Sequence, residues 1–210
     1  MNQQVTVTIQ NITYDLVALE KDCWMRLLNG AVKSKDAMHL MSIATKEGDE
    51  IGLRTVVLRS AKPTTKKLFF HTDGRSRKCE DLEKDPGVSV LLYDDGAKIQ
   101  VSIRGEAVLH SGNSLAKEAW DKTPVGARRS YLSLQPPSGK ASAANAGLPD
   151  YFEERDPTPE ESEEGWKNFV VVELQVYKID WLWLNAKGQR RALFEYNKEG
   201  TVMELNWLVP

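Results

Sequence analysis

The sequence repeatedly places two short apolar runs on either side of a tight polar turn. "HLMSIAT" and "GLRTVVLRS" flank "KEGDE", and "GVSVLLYDD" and "AKIQVSIRGEAVLH" meet through residues 94–96. Such pairs of β-rich runs predict antiparallel hairpins. The chain has no alternating helix–strand rhythm, so a Rossmann fold is disfavoured. We therefore expect a mainly β fold with flanking helices, a closed or split antiparallel barrel of the Greek-key type.

The rest of the chain adds strands and a few helices to these hairpins. "KKLFFHT" predicts a further strand, and "WKNFVVVELQVYKIDWLWL", "QRRALFEY" and "TVMELNWL" predict three more, joined at "NAKG" and "NKEG". This gives about eight strands. An amphipathic helix is expected over 14–32 with its stop at Gly30, a short polar helix over 76–86, and helical patches near 115–120 and 127–134.

Length and composition indicate one domain, residues 1–210, with a long loop or insertion at about 135–165. That segment holds five of the nine prolines and has an acidic second half. Cys23 and Cys79 lack metal-ligand spacing, so we expect neither a metal site nor a disulfide. The N-terminus lacks the charged start and apolar core of a signal peptide, and no apolar run approaches a membrane span. We expect a cytoplasmic protein.

One stretch concentrates positive charge in a chain whose formal net charge is −2. Within residues 53–78, Ser76 is a candidate N-cap for the helix that follows, and the free N–H groups of a helix start favour phosphate. The alternative is a solvated basic face, which is what charge runs usually form. The stretch contains one acidic residue, Asp73, and eight basic residues, which are Arg54, Arg59, Lys62, Lys66, Lys67, Arg75, Arg77 and Lys78.

Three motifs in order resemble the FMN-binding core of the pyridoxamine 5′-phosphate oxidase-like split-barrel family. They are "RTVVLR", "FFHTDGRSRK" and "IQVSIRGEA", and the resemblance runs from about Met41 to Val108. The C-terminal "WLWLNAKGQRRALFEY" is similar to the closing hairpin of that family. Only the three central motifs together are specific, and residues 135–165 lie outside the resemblance.

The resemblance implies a role for each matching position in the central motifs. Three cations, Arg54, Arg77 and Lys78, would bind the FMN phosphate through charge-assisted hydrogen bonds. The residues that would lie along or beside the isoalloxazine ring are Thr55, Val56, Val57, Arg59, His71 and Thr72.

The resemblance also implies a homodimer with FMN at the subunit interface. Gln100 would reach the polar edge of the ring from the same subunit that binds the phosphate. Gln135 and Arg191 would come from the second subunit. The family tryptophan before Arg191 is either Trp181 or Trp183.

Departures from the family pattern bear on the substrate. Where the vitamin B6 oxidases have an Arg and a His that hold the substrate, this chain has Lys187 and Gln189. Further upstream, the vitamin B6 oxidases bind the substrate phosphate with a Tyr, an Arg and a Ser. The corresponding positions of this chain fall near Glu118, Lys122 and Gly126. The chain is therefore interpreted as a divergent, oxidase-related member with an unidentified small-molecule substrate.

Three functional hypotheses follow. The first is an FMN-dependent oxidoreductase, and the second is a non-catalytic, stress-related flavin or haem binder, with His71 or His110 as a haem ligand. The third, a barrel that binds single-stranded nucleic acid, is disfavoured because Phe69 and Phe70 are adjacent and cannot both face one groove. We expect no nucleic-acid partner.

Overall fold

The computed structural model describes residues 6–210, apart from the side chain of Glu153, as a split antiparallel barrel with peripheral helices. A nine-stranded sheet contains all strands except an N-terminal two-stranded hairpin. The mainly β antiparallel fold expected from the hairpin pattern is confirmed. The strands are β1 Val7–Ile9, β2 Ile12–Tyr14, β3 Leu40–Glu47, β4 Glu50–Val57, β5 Ser60–Lys62, β6 Lys67–Asp73, β7 Gly87–Asp94, β8 Ile99–His110, β9 Phe169–Trp183, β10 Arg190–Tyr196 and β11 Val202–Leu208.

Six α-helices and three short 3-10 helices surround the sheet in the described residues. The α-helices are α1 Leu16–Val32, α2 Arg77–Lys84, α3 Ser114–Lys122, α4 Val125–Arg128, α5 Tyr151–Glu154 and α6 Pro159–Ser162. The 3-10 helices are Ala37–His39, Arg129–Leu132 and Glu163–Asn168. None of the described helices is long and apolar enough to cross a membrane.

The long strand β9 explains why the barrel is split. Its first half pairs with β6 and its second half pairs with β10, while β8 runs along its other edge. At the opposite end of the sheet order lies β4, which among the described strands pairs only with β3. The chain crosses from β4 to β6 just beyond Val57, where the Arg59 N–H donates to the Phe69 carbonyl at 2.8 Å. The opening between β4 and β6 is therefore bordered by the basic stretch.

The barrel interior follows the strand alternation. Met41, Ile43, Phe70 and Ile103 are fully or almost fully buried, as expected for one face of a period-two pattern. Helix α1 packs against this interior through its own buried positions, including Trp24. A second apolar cluster forms under α3, around Trp120, Tyr131 and Phe169.

Helix α1 begins as a capped helix but does not end where the sequence predicts. The Asp15 carboxylate accepts from the Ala18 N–H at 2.7 Å. The predicted stop at Gly30 is wrong, because the helix continues to Val32. Gly30 instead allows a close backbone approach, since a Cβ there would lie 2.4 Å from the Met38 carbonyl oxygen. A larger residue would displace the chain that leads into β3.

Two further regions differ from the sequence-based expectation. The β1–β2 hairpin is not predicted by the strand pattern, and its strands have three residues each. The segment expected as a loop contains α5, α6 and the start of the third 3-10 helix. Helix α6 begins with a reciprocal capping box between Thr158 and Glu161. Phe152 is buried, so this part of the segment packs on the domain.

Candidate functional site

The eight basic residues of 53–78 do not form one surface. Within the described residues, Arg59, Lys62 and Lys78 make no ion pair, and the Arg54 Nη2 lies 3.6 Å from the Asp81 Oδ2. Arg59, Lys62 and Lys78 are therefore the cations of this stretch without a described carboxylate partner, and Arg54 has only the longer contact with Asp81. The other four are neutralised, Lys66 by Glu20, Lys67 by Glu173, Arg75 by Asp73 and Arg77 by Glu47.

Arg54 and Lys78 lie close to each other where α2 packs against β3. Arg54 lies on the inward face of β4, opposite the buried Ile43 of β3. Its guanidinium donates to the Gly52 carbonyl at 3.0 Å and to the Thr45 hydroxyl. Lys78 lies in the first turn of α2, and its Nζ donates to the Thr72 Oγ1 at 2.8 Å. Burial, and after it the nearby Arg54 charge, lower the pKa of Lys78. A half-buried ammonium that is hydrogen-bonded to a hydroxyl and has a guanidinium beside it favours the binding of an anion.

The start of α2 adds polar groups to the same place. Ser76 occupies the predicted N-cap position, but its side chain makes no capping hydrogen bond. Its hydroxyl instead lies 3.4 Å from that of Thr72 and 3.5 Å from the Cys79 sulfur. Arg77 is exposed and pairs with Glu47 at 2.7 Å, outside the group formed by Arg54, Thr72 and Lys78. Two cations, two hydroxyls and a helix start thus converge on one point, and these donors fit a phosphate group.

The strand residues expected along the ring lie on an accessible edge. Val56 and Val57 are half-buried and Thr55 is exposed on β4, and no strand in residues 6–210 pairs with the free edge of β4. Val56 shares the inward face with Arg54, while Thr55 and Val57 share the outer face. An apolar edge strand with unpaired backbone groups can accept a flat, partly polar ring.

Gln100 and Arg191 lie on the outer face of the sheet, in one row. The register places Gln100 on β8 opposite Leu182 on β9, and Leu182 opposite Arg191 on β10. Arg191 is held by Asp180, with nitrogen–oxygen distances of 2.9 and 2.6 Å. Arg191 projects from the outer face of the sheet and Arg54 from the inward face, so one chain presents the two side chains on opposite faces.

Neither candidate tryptophan lies in that row. Trp181 is opposite Val101 and is fully buried, and Trp183 is opposite Ile99. Both belong to the inward set of β9, and Leu182 occupies the outer position between Gln100 and Arg191. Gln135 is exposed in the loop after the 3-10 helix Arg129–Leu132 and is not part of this row.

His71 and Arg59 line a separate cavity of about 690 Å³ beside the barrel opening. His71 is half-buried and its ring meets Phe169 edge to face, with centroids 4.8 Å apart. Burial, and after it the Arg59 charge, lower the pKa of His71 to about 4, so the imidazole is neutral at pH 7. His71 is therefore not a plain surface histidine, because β6 directs this side chain into the cavity that α3 also lines.

Sequence reasoning missed Thr45 and Asp81, which orient Arg54. Thr45 is buried on β3, and its hydroxyl donates to the Asp81 carboxylate at 3.3 Å. The sequence does contain a signal for Thr45, because it continues the alternation of inward positions set by Met41 and Ile43. The position of Asp81 follows only from how α2 docks on the barrel.

Comparisons with known proteins agree with this geometry. Residues 21–111 match the family model described as pyridoxamine 5′-phosphate oxidase, FMN-binding domain. Among curated proteins, the chain is 26% identical over 191 residues to pyridoxine/pyridoxamine 5′-phosphate oxidase 2 of Arabidopsis thaliana, covering 85% of this chain and 90% of that protein. A pyridoxine/pyridoxamine 5′-phosphate oxidase of Kineococcus radiotolerans is 36% identical over 67 residues, 32% of this chain and 29% of that one.

Two solved structures share the fold over nearly the whole chain. A pyridoxamine 5′-phosphate oxidase-related, FMN-binding protein from Nostoc punctiforme has a TM-score of 0.71 at 22% identity, covering 90% of this chain and 96% of that one. PhzG from Burkholderia lata, solved in complex with tetrahydrophenazine-1-carboxylic acid, has a TM-score of 0.67 at 19% identity, covering 92% of both chains. At this identity the likeness establishes the fold.

Proposed function

The chain belongs to the pyridoxamine 5′-phosphate oxidase-like family of FMN-binding split barrels, and from this premise we propose that it is an FMN-dependent oxidoreductase acting on a small molecule. The observation that carries the proposal is the pair Arg54 and Lys78. Lys78 is half-buried and makes no ion pair with any described residue, although Arg54 stands beside it. A phosphate dianion supplies the missing negative charge.

We assign different residues of this chain to the phosphate and to the ring of FMN. Arg54 and Lys78 bind the phosphate, with the Thr72 and Ser76 hydroxyls as further partners. Residues 55–57 lie along the ring, and Arg59 and His71 border its substrate side. Arg77 is paired with Glu47, so it contributes only long-range positive charge to the phosphate site. It contacts the phosphate directly only if this ion pair breaks. FMN, when bound, supplies the redox chemistry, and the protein sets its orientation and its access to water.

The oxidoreductase part of the proposal is tested by anaerobic reduction. The flavin-loaded protein is mixed with NADH or NADPH in the absence of oxygen, and the visible flavin absorbance is followed. We expect the absorbance to bleach with one of the two donors and to return when oxygen is admitted. Unchanged absorbance with both donors favours the alternative, a non-catalytic flavin binder, whereas a Soret band in the purified protein supports the haem hypothesis.

We further propose a homodimer in which Gln135 and Arg191 of one subunit complete the FMN site of the other. The outer face of β3, β4 and β7 carries apolar side chains that a lone chain leaves in water. Leu53 is 72% exposed and Leu40 is 54% exposed, with Leu91 and Tyr93 beside them. Contiguous apolar exposure of this kind marks an interaction surface. The same outer face carries Gln100 and Arg191, so burying it brings site residues of two chains together.

Replacing both Leu53 and Leu91 with aspartate is expected to separate the subunits and to weaken FMN binding. Light scattering should give twice the 23.7 kDa chain mass for the wild type and the single mass for the variant. Val17→Asp, on an exposed apolar position of α1, is the matched control and should stay dimeric. A wild-type monomer that holds FMN fully would contradict both the dimer and the shared site.

A further inference from the structure

The loop that carries Gln135 is closed at its base and exposed along its length. Residues 134–146 are all exposed, so none of these side chains is buried against the domain. The two ends of the loop meet, because the Leu134 N–H donates to the Gly147 carbonyl at 2.8 Å and the Ser133 hydroxyl lies 3.1 Å from the same oxygen. A loop of this kind takes its position from its base.

Arg75 attaches the base of the loop to the barrel. Its Nη2 donates to the Ser133 carbonyl at 2.9 Å, directly before the loop begins. The same guanidinium pairs with the buried Asp73 carboxylate, with an Nε–Oδ1 distance of 3.0 Å and an Nη2–Oδ2 distance of 2.7 Å. Two parallel bonds to one carboxylate fix the plane of a guanidinium. The bond to Ser133 therefore holds the loop base in one place.

The same arginine lies inside the turn between β6 and α2, which offers donors to the FMN phosphate. Thr72 precedes Asp73, and Ser76 and Lys78 follow Arg75 by one and three positions. The Arg75 N–H donates to the Asp73 carboxylate at 2.8 Å, and the Ser76 N–H donates to the Asp73 carbonyl at 3.0 Å. A phosphate bound to Thr72, Ser76 and Lys78 fixes this turn and, with it, the direction of the Arg75 side chain.

We propose that Arg75 is a positioning residue that makes the 134–147 loop respond to FMN bound at the β6–α2 turn of the same subunit. Because Gln135 of this loop completes the site of the neighbouring subunit, occupancy of one site prepares the other. The proposal rests on the proposed function and its homodimer, and it adds a route by which one flavin site regulates the second. The coupling runs through hydrogen bonds that join the turn to the loop base.

Tryptic cleavage after Lys140 tests whether FMN orders the loop. Lys140 is the only lysine or arginine within residues 134–147, and exposed loop tips are preferred sites of proteolysis. The dimer is digested without flavin and at full flavin occupancy, and mass spectrometry quantifies the fragments that end at Lys140. We expect FMN to slow this cleavage about fivefold or more in the wild type and less than about twofold in Arg75→Ala.

Two further variants separate the loop base from loss of the fold. Arg75→Lys keeps a cation for the buried Asp73 but lacks the planar fork, so it should also lose most of the protection. Gly147→Ala disturbs the other side of the base, because residue 147 has a φ of 70°, and it should speed cleavage in the FMN-loaded dimer. Arg26→Ala is the matched control and should keep the protection, because Arg26 is a half-buried arginine that pairs with Asp22 on α1.

A double-mutant cycle tests whether Arg75 acts through Gln135. FMN dissociation constants are measured for Arg75→Ala, for Gln135→Ala and for the double variant. We expect the double variant to bind FMN within about twofold of the weaker single variant, because both changes remove the same contribution. If the two effects multiply, the residues act independently and the proposal is wrong.

Equal cleavage after Lys140 with and without FMN in the wild type would also overturn the proposal, as would full protection in Arg75→Ala and Arg75→Lys. Flavin absorbance per chain is recorded in each digest, so these results leave the proposed flavin binding intact. A wild-type protein that takes up no FMN, or that holds FMN as a monomer, contradicts the proposed function or its shared site, and the inference with it.

Discussion

Replacing Lys66 with alanine is expected to lower the free energy of unfolding by about 3–5 kcal/mol, the usual loss when one partner of a buried ion pair is removed. Lys66 and Glu20 are 8% and 5% exposed, and the Lys66 Nζ lies 2.6 Å from the Glu20 Oε1. The variant leaves the Glu20 carboxylate buried without its cation. Urea unfolding followed by tryptophan fluorescence measures the loss.

The size of this effect comes from the network around the pair. The Tyr196 hydroxyl donates to Glu20 at 2.9 Å and accepts from the Trp24 Nε1 at 3.0 Å. The ammonium also lies 5.1 Å from the Trp24 ring centroid and 4.9 Å from that of Tyr196. Burial, with the Glu20 charge as the second cause, raises the pKa of Tyr196, so its hydroxyl stays protonated and can donate.

Two controls separate the buried charge from other effects. Lys98→Ala removes an exposed lysine paired with Asp95 and should leave the urea midpoint almost unchanged, because exposed ion pairs contribute little to stability. The double variant Lys66→Met with Glu20→Gln removes both charges and should recover a substantial part of the loss. A Lys66→Ala variant as stable as the wild type would show that the pair does not hold α1 against β6.

Replacing Arg54 and Lys78 together with alanine is expected to weaken FMN binding by about 3–6 kcal/mol, from two lost charge-assisted contacts of about 1.5–3 kcal/mol each. That is a loss of roughly 10²–10⁴ in affinity. Riboflavin, which lacks the phosphate, should bind the variant about as well as it binds the wild type. Quenching of flavin fluorescence gives both dissociation constants.

Arg77→Ala and Lys84→Ala serve as comparisons on the same helix. Arg77 is paired with Glu47 and points away from the Thr72 hydroxyl, so its loss should weaken FMN binding less than the loss of Lys78. Lys84 lies in the last turn of α2 and should have no effect. If the Arg54 and Lys78 double variant keeps wild-type affinity, the phosphate lies elsewhere.

The strand pattern predicted the barrel because its signal is local. The hairpins around residues 48–49 and 94–96 have alternation long enough to set the register, and the structure keeps that register. The β1–β2 hairpin was not predicted because three-residue strands hardly show a period. Its turn at Gln10 and Asn11, both at positive φ, lacks the glycine that usually signals it.

The acidic, proline-rich segment shows a different failure. Its composition was interpreted as a loop, although "TPEE" carries a capping-box pattern with proline at the first helical position. The local signal for α6 was present, and composition was given more weight. Burial of Phe152 and Ser162 then fixes the segment on the domain, a tertiary effect that no window of sequence displays.

The sequence predicted which residue types form the candidate site, but it did not predict which carboxylates pair with the basic residues. Charge density identified the stretch that contains Arg54 and Lys78, but five of its eight basic residues pair with carboxylates, and four of those carboxylates lie outside the stretch. Lys66 meets a glutamate 46 positions away, and Lys67 one on β9. Which cations remain available to a ligand is therefore decided by chain topology.

The most direct test of a phosphate-binding flavin site is the ratio of the FMN and riboflavin dissociation constants for the wild-type protein. Both are measured by fluorescence quenching in one buffer at fixed ionic strength, because phosphate contacts are screened by salt. The Arg54 and Lys78 geometry predicts FMN binding at least about a hundredfold tighter, corresponding to about 2.7 kcal/mol from the phosphate. Equal dissociation constants for FMN and riboflavin would contradict it.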